Sequence, residues 1–141
     1  MKSPSILERL AVCSWSLQPA SPEDLAQKLC DTGIRRVQLA LDPLRVSPKI
    51  WGDTERIFRE HGIMVVSGMV ACIGEDYATL DSIRLTGGIA PDTTWEQNVK
   101  NLSACAAIAK RMGLKLVTFH AGFLPPDQSH PAFRRSYSLA R

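Results

Sequence analysis

Short apolar runs alternate along this chain with longer stretches in which apolar residues recur every three or four positions. Leu10-Ala-Val-Cys-Ser-Trp15 is a compact apolar run ahead of a Pro/Ser turn and predicts a buried strand. Ser21-Pro22-Glu23-Asp24 predicts a helix start: a serine to cap it, a proline whose φ is already helical, and acids facing the positive end of the dipole. Leu25, Ala26, Leu29 and Cys30 form one buried stripe, and Gly33 predicts the stop. Arg36–Leu41 is the second strand, broken by Asp42-Pro43. Ser47-Pro48 opens a second helix with Ile50, Ile57 and Phe58 as its apolar positions, closing at His61-Gly62. Ile63–Val70, rich in β-branched residues, is the third strand. A long connection follows, with a short helix near Tyr77–Leu85. Thr93-Thr-Trp-Glu96 matches a capping box and opens a helix through Met112, its buried stripe being Val99, Leu102, Ala106, Ile108 and Ala109. Lys115–His120 is the fourth strand, and Pro131–Arg141 has the pattern of a further helix.

The order β-α-β-α-β-α-β predicts an α/β domain with a parallel sheet and right-handed crossovers. Strand starts at residues 10, 36, 63 and 115 are separated by 26, 27 and 52 positions, which fits βα units with one inserted loop. Composition adds bounds rather than detail. At 45% hydrophobic and 22% charged, the chain is globular, and neither disordered, collagen-like nor a coiled coil. Its 17 basic and 14 acidic residues leave a mild net charge of +3, with no basic stripe to favour nucleic acid. Arg134, Arg135 and Arg141 read as a solvated helix face. Cys13, Cys30, Cys72 and Cys105 form no CxxC pair and sit among apolar neighbours, so reduced core thiols are expected. Glu8 and Arg9 interrupt any export signal, and the longest apolar window, Ile63–Ile73, falls far short of the ~20 residues of a membrane span. The expected location is cytoplasmic.

In parallel α/β architectures, chemistry collects just past the C-terminal ends of strands. That rule selects Trp15 after strand one, Gln38 and Asp42 around strand two, Glu75, Asp76 and Tyr77 after strand three, and His120 at the tip of strand four. A neutral imidazole at His120 can ligate a divalent metal or relay a proton, or simply hydrogen-bond to backbone. Gly122, two residues on, allows a sharp turn. Glu75-Asp76 is either a carboxylate pair for substrate or metal, or a set of helix-capping acids. Trp15 can form one wall of a sugar pocket or fill a barrel mouth. Gly87-Gly88 lacks the context of a phosphate loop and reads as a turn. His61 precedes a helix-ending glycine and His130 lies in a Pro-rich loop; both read as structural or solvated.

The run Val117-Thr-Phe-His-Ala-Gly-Phe-Leu-Pro125 resembles the His-x-Gly strand end of xylose isomerase-like TIM barrels, the sugar phosphate isomerases and epimerases. Glu75-Asp76-Tyr77, Ser82–Ile89, Pro91–Asn98 and the opening Cys13-Ser-Trp-Ser-Leu17 are similar to a bacterial subgroup. The resemblance implies a (β/α)₈ barrel that binds a divalent metal (Mn, Mg or Zn) and a small sugar or sugar phosphate, with proton transfer next to a carbonyl. It implies His120 as metal ligand and catalytic residue; Trp15, Gln38 and Glu75, selected by the strand-end rule, are expected to line the substrate. A whole barrel takes about 250 residues, so residues 1–141 are expected to form a single domain of about four barrel strands, incomplete at the C-terminus and inactive or weakly active. The strands that carry most family ligands and acid/base glutamates are then missing. A flavodoxin-like open parallel sheet is the other arrangement of the same units. Two further functions follow from the same reading: a non-catalytic half-barrel that self-associates to cover its sheet edges, and, on fold analogy, an endonuclease IV-like DNA-repair protein.

Overall fold

The computed structural model describes residues 6–123, 127–131 and 133–134. Its elements run α1 (Ile6–Arg9), β1 (Val12–Cys13), α2 (Ser14–Leu17), α3 (Pro22–Thr32), β2 (Arg36–Ala40), α4 (Asp42–Val46), α5 (Pro48–Trp51), α6 (Thr54–Glu60), β3 (Met64–Val70), α7 (Leu80–Thr86), α8 (Trp95–Arg111) and β4 (Val117–Phe119). The helix expected over 131–141 lies largely outside the described residues. Two compact units divide the chain, Met1–Met69 with Ala104–Thr118, and Val70–Ser103 with Phe119–Arg141. Among the described residues no helix is long and apolar enough to cross a membrane.

The first unit carries the sheet. Its four strands stand in sequential order β1-β2-β3-β4, and the β1–β2 and β2–β3 pairings are parallel. This order decides between the two expected arrangements. An open flavodoxin-like sheet places its second strand outside its first, whereas a barrel adds each strand beside the last. The sheet is a partial TIM-barrel sheet. A register shift between Val37 and Gln38 lets Gln38 pair with Ser67 rather than the next residue in step.

Helix α3 forms where the sequence places it. Ser21 Oγ accepts the amide of Asp24 at 3.2 Å, Pro22 occupies the first turn, and Gly33 ends the helix in the left-handed region at φ 73°. It buries Leu25, Ala26 and Leu29 completely, and each leucine contributes roughly 1.5–3 kcal/mol by leaving water. On β2, Val37 and Leu39, continued by Leu41, are fully buried, whereas Gln38 on the opposite face is only half-buried. Gly68 sits where a side chain would collide with Leu41 and crowd Leu114.

Four local expectations are corrected. The first strand ends at Cys13, because Ser14 turns into α2 and its hydroxyl takes the amide of Ala40 at 2.9 Å. Asp42-Pro43 does not merely break the chain: proline at the first turn starts α4. The second helix is split into α5 and α6, which leaves Ile50 exposed and turns Trp51 inward instead. In α8 Ala106 is exposed, and the buried positions are Asn98, Asn101, Cys105, Ile108 and Ala109. The four cysteines are free thiols, Cys105 buried and the others half-buried.

In the second unit the long connection after β3 is folded around polar contacts. Buried Asn98 accepts the amide of Ile73 at 2.8 Å and donates to the Ile73 carbonyl at 3.4 Å. Helix α7 begins with a full capping box: Thr79 Oγ1 accepts the Ser82 amide and Ser82 Oγ accepts the Thr79 amide, both at 3.0 Å.

Candidate active site

The second unit brings Glu75 and His120 together, 45 positions apart in sequence, with Glu75 Oε1 2.8 Å from His120 Nδ1. The same carboxylate oxygen accepts the amide of Gly88 at 2.8 Å. An ionised carboxylate only accepts, so the proton in this contact belongs to the imidazole. In the neutral ring the contact is met by the Nδ1–H tautomer, which leaves the lone pair on Nε2 for a ligand or a proton. Glu75 is 12% exposed at its side chain and His120 38%, so the carboxylate is sheltered while the ring still reaches solvent.

The backbone around the pair explains why both residues hold still. The His120 carbonyl accepts the amide of buried Ile89 at 3.1 Å and the Cys72 thiol at 3.7 Å. Gly88 adopts φ 75°, and a Cβ there would lie 2.2 Å from the Gly122 nitrogen. Gly87 passes so close that its Cβ would meet the His120 ring at 2.8 Å. The glycine doublet, read from sequence as a turn, is thus the floor under the imidazole. Its signal was available: a paired glycine in a long connection and a third glycine two residues after the strand-end histidine. Phe123 meets the His120 ring edge-on, with centroids 6.0 Å apart at 81°. Tyr77 is exposed; desolvation of its phenol, together with the nearby Glu75 charge, raises its pKa above the ordinary tyrosine range.

Asp76 does not join Glu75 as a carboxylate pair. It accepts the Ala78 amide at 2.8 Å and closes a local turn. His61 Nδ1 contacts the Ile57 carbonyl at 2.9 Å, a helix-end role. In the first unit, Gln38 donates to Thr118 Oγ1 at 3.2 Å, and Trp15 lines a cavity with Trp51, a residue that sequence reasoning did not single out.

Among the described residues no three His, Cys, Asp or Glu side chains converge closely enough to hold an ion. His120 Nε2 offers one donor, and Glu75 Oε1 is taken by the Gly88 amide and His120 Nδ1. The described residues on their own do not fit a resident metal.

No family model and no curated protein matches the sequence. The three-dimensional comparison is different. The crystal structure of a xylose isomerase domain protein from Planctomyces limnophilus superposes on 82% of this chain with a TM-score of 0.67 at 21% identity. The chain has the xylose isomerase-like fold. It spans 42% of that protein's chain. A xylose isomerase-like fold of this kind gathers functional side chains past the carboxyl ends of its strands, and His120 directly follows β4 there.

Proposed function

We propose that this chain contributes the proton-handling wall of an isomerase or epimerase site for a small ketose or sugar phosphate. The observation that carries the reading is the Glu75–His120 pair. Glu75 fixes the tautomer, so Nε2 is the atom that accepts a proton from a carbon or hydroxyl next to a carbonyl and returns it. Glu75 stabilises the imidazolium formed in between, as a carboxylate behind a catalytic histidine does. A Mn, Mg or Zn ion would need donors beyond those the described residues supply, and an ion on His120 Nε2 would take the lone pair that the proton needs.

The test is solvent deuterium exchange at the carbon beside the carbonyl of fructose and its phosphates, with and without added divalent metal. Exchange is expected with the chain, is lost in His120→Ala, and falls at least about tenfold in Glu75→Gln, which keeps an acceptor but not the charge. Exchange that survives His120→Ala removes the histidine from the chemistry, and its absence in all conditions overturns the reading.

A second reading, a non-catalytic half-barrel that self-associates, is favoured by a separate observation. Among the described residues β1 and β4 each pair on one side only, and Cys13, Gln38, Met69 and Thr118 are half-buried. Parallel sheets are normally covered on both faces and at their edges. Sedimentation velocity discriminates: a dimer supports this reading, and a stable monomer overturns it.

A further inference from the structure

The first unit holds a cavity of about 220 Å³ at the carboxyl end of β2. Its walls are the indoles of Trp15 and Trp51, with Pro19, Pro43 and Leu39 between them. Leu39 belongs to the fully buried face of β2, whereas Gln38 and Met69 on the other face do not line it. Ala40, two residues after Gln38, lines it too, so the cavity wraps the end of β2 and Gln38 is not among its walls. Trp51 is 5% exposed and forms a wall, while Trp15 at 40% exposure forms the mouth.

Two further observations indicate that this space is built rather than left over. Gln18, on the rim, is the only described non-glycine residue with positive φ (46°), and it precedes a proline, which disfavours helical conformations. Such strain persists only where the surroundings hold it, and it concentrates at ligand sites. The surroundings here are visible. Asp24 Oδ2 accepts the Ala20 amide at 2.9 Å and Lys28 Nζ at 2.8 Å, and Lys28 also donates to the Gln18 carbonyl at 3.4 Å. The Gln18-Pro19-Ala20 segment is fastened from both sides.

We propose that this cavity binds a single aromatic ring bearing one hydrogen-bonding substituent, the phenol class. The size agrees: an apolar cavity of about 150 Å³ takes up benzene, and the extra volume admits a substituent. The chemistry agrees as well. Indole walls favour a flat π-face. Ser14 Oγ, buried on the cavity wall, accepts the Ala40 amide and retains its own proton for a ligand oxygen. The inference does not depend on the proton-transfer reading.

The chain has three tryptophans, so a nitrogen-15 proton correlation spectrum contains three indole N–H signals, and Trp95→Phe identifies the one outside the cavity. Phenol, cyclohexanol and methyl glucoside are titrated in turn. Phenol is expected to shift the Trp15 and Trp51 signals saturably and leave Trp95 in place. Trp15→Ser, at the exposed mouth where folding tolerates change, is expected to weaken binding about tenfold. Saturation-transfer signals from phenol, lost in the same variant, give an independent readout. No saturable shift, equal movement of all three signals, or tighter binding of methyl glucoside or cyclohexanol than of phenol each overturns the proposal.

Discussion

Glu75 Oε1 stands 2.8 Å from His120 Nδ1, and one carboxylate oxygen thereby sets which ring nitrogen is protonated. The consequence is measurable without substrate. In the unaltered chain, imidazole nitrogen-15 shifts are expected to report the Nδ1–H tautomer of the neutral ring. In Glu75→Ala the Nε2–H tautomer is expected to appear, and stability to fall by roughly 1–3 kcal/mol as the Gly88 amide and Nδ1 lose their acceptor. An unchanged tautomer in Glu75→Ala contradicts the assignment.

Gly88 and Gly62 both have positive φ, yet their surroundings differ. A Cβ on Gly88 would meet Gly122 backbone at 2.2 Å, whereas a Cβ on Gly62 has nothing within 4 Å. Gly62→Ala is expected to cost about 1 kcal/mol, the left-handed penalty alone. Gly88→Ala is expected to cost roughly 3 kcal/mol, because overpacking is added to that penalty. Urea denaturation of the two variants, compared side by side, checks the difference.

Asn98 is 2% exposed and satisfies both backbone groups of Ile73. Asn98→Ala leaves those groups without a side-chain partner, and the expected loss is roughly 2–3 kcal/mol. Asn98→Asp restores the acceptor but not the donor and is expected to recover part of it. A loss below about 0.5 kcal/mol by urea titration means that water replaces the side chain.

The Asp24 carboxyl is held below its ordinary value of 3.8, chiefly by its hydrogen bond from Lys28 and then by that from the Ala20 amide. Because the folded value lies below the unfolded one, the stabilisation is present above pH 3.8 and disappears as pH falls through the folded value. The Ala20 amide resonance is expected to titrate with a midpoint below 3.8, and the change to vanish in Asp24→Asn. A midpoint at or above 3.8 means that the fastening of the Gln18 segment does not involve the charged carboxylate.

The alternation of strands and helices was readable because each βα unit is punctuated locally. Ser21, Pro22 and Gly33 encode both ends of α3 without help from the rest of the chain. The strand-end rule likewise reached His120 and Glu75 separately. Their pairing was not readable, since it depends on how the insertion between β3 and α8 folds back. That path is set by Asn98, the Thr79–Ser82 cap and the glycine floor. Polar residues misled twice. Asn98 and Asn101 lie on the buried stripe of α8, where period counting expected only apolar side chains. Ser14 and Trp15 left the first strand although their neighbours are apolar, because a serine side chain can replace a strand amide's usual partner.

That replacement at Ser14 bears on how the protein avoids unwanted fibres. β1 is only two residues long and ends in a turn of helix rather than running on as an extended ribbon. A passing strand from an unfolded chain finds few backbone groups there to grip, too few to seed cross-β stacking. Any partner that settles on this edge must recognise side chains, and so must be chosen by sequence rather than captured by backbone alone.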